Sequence, residues 1–323
     1  MLSAVCFYLY HTSLFLSSPL SKRGDRGDFY RGVRRTGVLD KTCRSPVSLN
    51  YMEKIRKPAV AGYFYPSEKG ALLRALEGFI DGLAEPSQAS AIIAPHAGYL
   101  YSGGVAGAVF SRVVIPDTVV LIGPNHTGYG EPYAVDGHSL WFTPLGEAEV
   151  DTVLADALVK KSRYLERDAV AHTREHSLEV QVPFIQFLNK DAKIVPITLS
   201  GYLDDPAWQD IGEALAEALT ETKGAERPLI VASSDLTHYE EQSAAEEKDL
   251  YIIDAILALD ENGLIDRITE KDVSLCGYGP IITAMIAAKL MGAEGGELVR
   301  YTTSGEASRN YAKVVGYAGI VLK

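Results

Sequence analysis

The sequence predicts an α/β fold of three layers, in which a largely parallel central sheet lies between two layers of helices. Two observations support this prediction. Short apolar runs of the length expected for strands buried on both faces recur along the chain. Segments with helical spacing and charged outer faces separate most of these runs. This alternation is typical of crossover connections between parallel strands.

Six strands and five helices are predicted, in chain order. The strands are AIIAPH (91–96), VVLIGP (119–124), KIVPITLS (193–200), PLIVASS (228–234), ELVRYTT (297–303) and VVGYAGIVL (314–322). The helices are ALLRALEGFIDGL (71–83), EVDTVLADALVKK (149–161), AWQDIGEALAEALTE (207–221), AAEEKDLYIIDAILALD (244–260) and GPIITAMIAAKLMG (279–292). The TPLGE stretch (143–147) is predicted to be a loop that opens the second of these helices.

Composition limits the classes of function. The 323 residues are 47% hydrophobic, which is typical of a globular protein, and the formal net charge is -11. Proteins that bind nucleic acid use clustered Lys and Arg to neutralise phosphates, so a nucleic-acid partner is not expected. From residue 52 to 323 there is no repeat and no long linker, and we predict a single domain for this range.

The first 51 residues differ in charge from the rest of the chain. They hold eight basic and three acidic residues, a balance of +5, so the remainder carries -16. Residues 1–20 are uncharged and could be part of a secretory signal or a membrane anchor. The favoured interpretation is an extension before Met52 that is disordered or non-native. Cys276 is then the one cysteine of the domain, which predicts a cytoplasmic protein without disulfides or a membrane segment.

Three of the predicted strands lead into histidines. His96 ends the first strand, His126 follows the second after a Gly-Pro-Asn turn, and SSDLTH carries Asp235 and His238 after the fourth. Loops at the carboxyl ends of parallel strands meet at one edge of the sheet, where ligands bind. Imidazole is a good ligand for zinc, copper, iron and nickel, so the sequence predicts a metal site at this edge.

Cys276 is the candidate for a further ligand. It lies in SLCGYGP, just before the predicted helix 279–292. A position near a helix N-terminus lowers the pKa of a thiol and favours the thiolate that binds metal. A small buried side chain is an equally good interpretation from the sequence alone, because free cysteine is commonly buried.

The segment HTREHSLEVQVPF holds His172, Glu175, His176 and Glu179. It differs from the zinc-protease motif, in which Glu directly follows the first histidine. Ser177 is predicted to cap a helix, and Pro183 to kink it or to begin a later one. His176 could support a site at the sheet edge, but a structural role is favoured.

Seven motifs in order resemble the Memo family, whose prokaryotic members are often called AmmeMemoRadiSam system protein B. They are RKPAVAGYFYP, APHAGYLYSGG, LIGPNHTGYG, TPLGE, EHSLEVQVPF, SSDLTHYE and SLCGYGP, and the resemblance covers Arg56 to Lys323. It implies a fold related to the class III extradiol dioxygenases, with a three-layer α/β/α core.

The resemblance also implies roles for particular residues. His96, His126 and Cys276 would bind the metal, and His238 would act as acid or base with Asp235 orienting it. The dioxygenases use two histidines and a carboxylate, whereas this sequence has a cysteine in the carboxylate's role. A thiolate favours softer ions, so the expected cofactor is iron(II) or copper(I).

Two functions remain open on the sequence. The favoured one is a metal-binding redox or dioxygenase-like protein of unknown substrate, and whether it is an enzyme stays undecided. The alternative is a non-enzymatic protein that binds a peptide or a protein in the same crevice, since fold does not fix function. The expected ligand of the crevice is a small molecule or a peptide. The family's name further implies AMMECR-type and radical-SAM proteins as partners.

Overall fold

A computed structural model describes residues 54–222 and 227–323 of the chain. The predicted extension, residues 1–51, lies outside the described residues, and so do the competing interpretations of it as a signal or an anchor. None of the helices in the described ranges is long and apolar enough to cross a membrane.

The described residues form twelve strands and nine helices. In chain order these are β1 (Ile55–Arg56), α1 (Lys69–Phe79), β2 (Ala91–Ala94), α2 (Tyr99–Phe110), β3 (Thr118–Pro124), β4 (Tyr133–Val135), β5 (Leu140–Thr143), β6 (Gly146–Glu149), α3 (Thr152–Lys161), β7 (Glu166–Arg167), α4 (Val182–Leu188), β8 (Lys193–Leu199), α5 (Ala207–Glu221), β9 (Leu229–Ser233), β10 (His238–Glu240), α6 (Gln242–Leu257), α7 (Glu261–Lys271), α8 (Tyr278–Leu290), β11 (Gly296–Thr303), α9 (Gly305–Ser308) and β12 (Val314–Leu322). A 3-10 turn, Glu179–Gln181, precedes α4.

The main sheet has a parallel centre and antiparallel margins. Its strand order is β10-β12-β2-β9-β3-β8-β4-β7, and β11 also pairs with β12. The four central strands β2, β9, β3 and β8 run parallel to one another. Strands β12 and β4 pair antiparallel on either side of them. The prediction of an α/β fold with a largely parallel sheet is therefore confirmed.

Alternate side chains of the central strands enter two separate apolar cores. Ile93 and Ile122 belong to a core shared with α3, α5, α6, α7 and α8. Ile92 and Leu121 face the other side, in a core shared with α1, α2 and α4. Because neighbouring residues of a strand point to opposite faces, the sheet is covered on both sides. This arrangement gives the three layers that the sequence predicts.

The predicted elements are present, and the differences concern the TPLGE stretch, two longer helices and several short elements that the sequence does not predict. All six predicted strands correspond to β2, β3, β8, β9, β11 and β12, and the five helices to α1, α3, α5, α6 and α8. The TPLGE stretch is not a plain loop, because β5 and β6 pair there as an antiparallel hairpin and α3 begins only at Thr152, capped by Asp151. Helices α2 and α7 were not predicted.

Helix α2 is not predicted because glycine, a weak helix former, is frequent in its sequence, YLYSGGVAGAVF. The structure explains two of these glycines by close packing. A Cβ at Gly103 would lie 2.6 Å from the ring of Phe79, and a Cβ at Gly107 would collide with the Phe79 carbonyl group. Glycine at these positions lets α2 approach the end of α1.

We expect Gly107→Ala to destabilise the fold by about 1–3 kcal/mol, because the neighbouring backbone must shift to admit the methyl group. The matched control is Gly78→Ala in α1, where a Cβ would meet nothing within 4 Å. That change should stabilise by about 0.5–1 kcal/mol through helix propensity. Chemical denaturation of both variants tests the pair, and a Gly107→Ala variant as stable as the parent would contradict the packing argument.

Candidate metal centre

The carboxyl ends of three parallel strands carry the predicted site residues. His96 lies two residues beyond β2, His126 two beyond β3 and Asp235 two beyond β9. Cys276 enters from the turn before α8. One ligand atom from each of His96, His126 and Cys276 lies within 4.8 Å of the other two. The structure thus brings together the three residues that the sequence predicts as metal ligands.

His96 is buried and held at three points. Its backbone N–H donates to Asp235 Oδ1 at 2.7 Å, its Nδ1 lies 3.0 Å from Ser233 Oγ, and its Nε2 lies 3.3 Å from Cys276 Sγ. The Ser233 hydroxyl already donates to the carbonyl oxygen of Ser177. Nδ1 of His96 therefore carries the proton and donates to Ser233, an assignment inferred from this network. The lone pair of Nε2 then faces the thiol.

His126 is oriented in the same way by a buried carboxylate. Its Nδ1 lies 2.9 Å from Glu175 Oε1, and its backbone N–H donates to Glu175 Oε2 at 2.6 Å. Burial alone would raise the pKa of Glu175, but hydrogen bonds and charge from His126 and His176 outweigh it and lower that pKa well below its ordinary value. The ionised carboxylate only accepts, so Nδ1 of His126 carries the proton. A metal would be bound through Nε2.

Cys276 is the free thiol of the described residues, and its environment differs from the prediction. Its Sγ contacts His96 Nε2 and lies 3.5 Å from the carbonyl oxygen of Asp235. Burial and the neighbouring Asp235 raise the pKa of this thiol, so the expectation of a pKa lowered by the helix N-terminus was wrong. Desolvation of the thiolate outweighs the partial charge of the helix.

Asp235 and His238 do not contact each other in the way predicted. Asp235 accepts hydrogen bonds from the backbone N–H groups of His96 and Ala97, at 2.7 and 3.2 Å. His238 is held by Ser274, whose carbonyl oxygen lies 2.9 Å from its Nδ1. Burial, the largest influence, raises the pKa of Asp235 to about 6. Asp235 thus orients the His96 loop, and the proposed acid-base role of His238 stays a prediction.

His176, for which the sequence favours a structural role, lies directly beside the candidate ligands. Its ring stacks on His126 with centroids 4.6 Å apart and meets His96 edge-on at 5.5 Å. The ring of Phe64 also packs against it, with centroids 4.8 Å apart. The sequence could not reveal this position, because the segment lies in a turn before the 3-10 helix rather than on a strand end. A third imidazole therefore forms part of the wall around the candidate ligands.

His126, Glu175 and His176 also lie close enough to hold a metal, with ligand atoms within 4.8 Å of one another. Glu175, however, already accepts hydrogen bonds from the backbone N–H groups of His126, His176 and Ser177 and from the His126 ring. A second ion there would have to displace these donors. This group is better explained as the support that orients His126, in the manner usual for histidine ligands.

The stability of the metal-free protein should fall as the pH drops from about 6.5 to 4. Burial lowers the pKa of His176 to about 4, below the ordinary 6.5. The unfolded chain then binds this proton more readily than the folded one, so acid favours unfolding. At 1.36 kcal/mol per pKa unit, His176 alone contributes about 3 kcal/mol to the loss. Urea unfolding of the parent and of His176→Phe at pH 7 and pH 4 tests this, and equal losses in both would contradict it.

The three candidate ligands lie close enough together to hold a single ion. Metal bonds of 2.0–2.3 Å place two ligands of a tetrahedral site about 3.3–3.6 Å apart. The separation of 3.3 Å between His96 Nε2 and Cys276 Sγ lies within about 0.3 Å of the spacing expected for one nitrogen and one sulfur ligand. Two imidazoles and a thiol form a donor set suited to iron, copper or zinc and unsuited to magnesium or calcium. A bound iron or copper ion would supply electron transfer and open positions for a ligand.

A cavity of about 160 Å³ adjoins these residues. Its lining includes His126, Cys276, Trp208 and Tyr278. A cavity of this size accommodates a compact molecule such as a single six-membered ring. A larger cavity of about 330 Å³, lined by Arg227 and Lys323 among others, includes none of the candidate ligands.

The fold and this site define a class: a three-layer α/β protein with a candidate centre of two histidines and one cysteine at the carboxyl edge of its sheet. The chain belongs to the Memo family. The family model described as Memo-like protein matches residues 56–321. The resemblance of the seven motifs is thereby confirmed.

Archaeal relatives agree with this membership. A MEMO1 family protein of Methanothermobacter thermautotrophicus is 41% identical over 276 residues, 82% of this chain and 99% of that protein. One of Methanococcoides burtonii is 43% identical over 83% of this chain and all of that protein, and one of Thermococcus kodakarensis is 42% identical over 83% and 99%. A solved structure of an uncharacterized Escherichia coli K12 protein covers 72% of this chain and 100% of its own, at 13% identity and a TM-score of 0.48.

Proposed function

We propose that this Memo family protein binds one iron(II) or copper(I) ion through His96, His126 and Cys276 and acts as a redox or dioxygenase-like protein. The observation that carries the proposal is the matched orientation of the two histidines. Each donates through Nδ1, one to Ser233 and the other to Glu175. Such a bond fixes the tautomer in which Nε2 is the ligand, an arrangement typical of metal-binding histidines.

Other residues near the proposed metal site would handle the proton, hold the ligand loop and bind the substrate. His238, held by Ser274, is proposed to give or take a proton at the substrate, since imidazole can act as a general acid or base. Asp235 is proposed to keep His96 in place through its backbone N–H. The 160 Å³ cavity beside His126 and Cys276 would hold a small substrate. Its limited volume favours a compact molecule over a polymer.

The test is the metal content of protein purified without oxygen and supplied with iron(II), copper(I) and zinc(II) in competition. We expect close to one iron or copper ion per chain, and dioxygen uptake by the loaded protein when a reductant is present. A His126→Ala variant should lose the ion while keeping its circular dichroism spectrum. Metal-free protein, or zinc alone at one per chain, would overturn the redox proposal.

A second candidate is the binding of a peptide or protein in the same crevice. Three tyrosines that neighbour site residues in sequence are exposed: Tyr101 by 42%, Tyr129 by 51% and Tyr239 by 72%. Exposed aromatic side chains are common at the centres of protein interfaces. AMMECR-type and radical-SAM proteins are the partners proposed for it. Retained partner affinity in a metal-free Cys276→Ala variant would favour this candidate over the redox one.

A further inference from the structure

Arg56 is a buried cation that contacts the loop carrying Glu175. Its side chain is 1% exposed. Nε donates to the carbonyl oxygen of His172 at 2.7 Å, and one terminal nitrogen donates to the carbonyl oxygen of Glu175 at 2.6 Å. The other terminal nitrogen pairs with Glu179 at 2.7 Å, and the guanidinium lies over the Trp141 ring at 4.0 Å. The arginine thus holds the backbone of the 172–179 loop at His172 and at Glu175.

Glu179 joins this loop to a segment that we term the N-terminal strap, residues 55–65. Its buried carboxylate accepts hydrogen bonds from the backbone N–H groups of Ala59 and Val60, at 2.7 and 3.0 Å. It also accepts one from the hydroxyl of Tyr65 at 2.7 Å. The strap and the loop therefore share one buried ion pair, and neither can move without disturbing the other.

The same strap also contacts the other side of the centre. The carbonyl oxygen of Phe64 accepts from the backbone N–H of Tyr99 at 2.8 Å, at the start of α2 just beyond His96. The ring of Phe64 packs on His176. The strap therefore touches the loop after His96 as well as the loop that holds His126.

We infer that Arg56 is a positioning residue of the metal centre, acting through Glu175 on His126. The contacts form a continuous path: Arg56 holds the backbone of Glu175, and the carboxylate of Glu175 holds the ring and backbone of His126. The inference rests on the metal site proposed above. The planar guanidinium donates in several fixed directions at once, whereas lysine would keep the charge near Glu179 but lose part of the hydrogen bonding to the two carbonyl groups.

The test uses Co²⁺ as the probe and compares two variants, Arg56→Lys and the control Leu264→Ala. For each variant we would measure the melting temperature, the Co²⁺ dissociation constant and the thiolate-to-cobalt absorption band. Leu264 lies in α7 and is buried in the apolar core to which no residue of the strap belongs. Its truncation to alanine destabilises the fold by leaving a cavity. We expect Arg56→Lys to weaken Co²⁺ binding by about 10- to 100-fold, the range for lost outer-shell support, and to shift the band. Leu264→Ala should lower the melting temperature and leave affinity within about twofold.

The outcomes separate this inference from the metal site itself. No thiolate-to-cobalt band in the parent protein would overturn the site and the inference together. A band and affinity unchanged in Arg56→Lys would overturn the inference alone, as would an equal loss of affinity in Leu264→Ala.

If Arg56→Lys does not fold, hydrogen exchange of the parent protein tests the inference instead. Coupling between two sites is reciprocal, so Co²⁺ bound at His126 should slow exchange of the Ala59 and Val60 amides in the strap. Amides of α7 serve as the internal control and should exchange at the same rate with and without Co²⁺. Strap amides that Co²⁺ leaves unchanged would overturn the inference.

Discussion

Cys276→Ala is expected to abolish stoichiometric binding of iron or copper while the protein stays folded. The substitution removes the one thiol at the candidate centre and leaves His96 and His126 as its remaining proposed ligands. Lost outer-shell support alone weakens metal binding by about 10- to 100-fold, so loss of a direct ligand should exceed about 100-fold. Equilibrium dialysis against iron(II) under nitrogen measures the affinity, and circular dichroism checks the fold.

The matched control removes the other two cysteines of the chain. Cys6→Ala with Cys43→Ala leaves Cys276 as the one thiol, so any thiolate signal in that variant comes from it. We expect this double variant to bind metal as the parent does. Binding that survives Cys276→Ala unchanged, or that disappears in the control, would contradict the assignment.

Glu179→Gln is expected to cost about 3–5 kcal/mol of folding stability, because it leaves Arg56 as a buried charge without its partner. Both side chains are at most 1% exposed, and their atoms lie 2.7 Å apart. Three other donors, the amides of Ala59 and Val60 and the Tyr65 hydroxyl, also lose an ionised acceptor. Chemical denaturation gives the free energy of unfolding directly.

A surface glutamate supplies the control for the same substitution. Glu297 pairs with Arg112 and Lys323, but its side chain is 38% exposed. Exposed pairs contribute about 0–1 kcal/mol, so Glu297→Gln should cost no more than that. The double variant Arg56→Met with Glu179→Leu should regain much of the lost stability, since it removes both charges. Equal costs for the two glutamine variants would contradict the burial argument.

The sequence predicts the central sheet well, because strands that are buried on both faces have a recognisable apolar sequence. VVLIGP and PLIVASS are continuous apolar runs, and they become the adjacent central strands β3 and β9. The rule that carboxyl ends of parallel strands share an edge then places His96 and His126 together. Cys276 needed the family resemblance, since its own residues equally allowed a buried, inert thiol.

The residues that orient the candidate ligands could not be predicted from the sequence in the same way. Arg56 is separated in sequence by 116 positions from His172 and by 119 from Glu175, whose carbonyl groups it contacts. No periodicity connects such residues, and a lone arginine is usually a solvated side chain. Glu175 and His176 lie in an irregular turn, where spacing carries no information about direction. Their roles follow only from the three-dimensional contacts.

The central claim is that His96, His126 and Cys276 hold one metal ion, and X-ray absorption spectroscopy of the iron(II)- or copper(I)-loaded protein tests it most directly. We predict one sulfur ligand at about 2.3 Å together with nitrogen ligands at about 2.0–2.1 Å. The sulfur contribution should vanish in Cys276→Ala and persist in the variant lacking Cys6 and Cys43. A spectrum of the parent protein with nitrogen and oxygen neighbours and no sulfur would contradict the account.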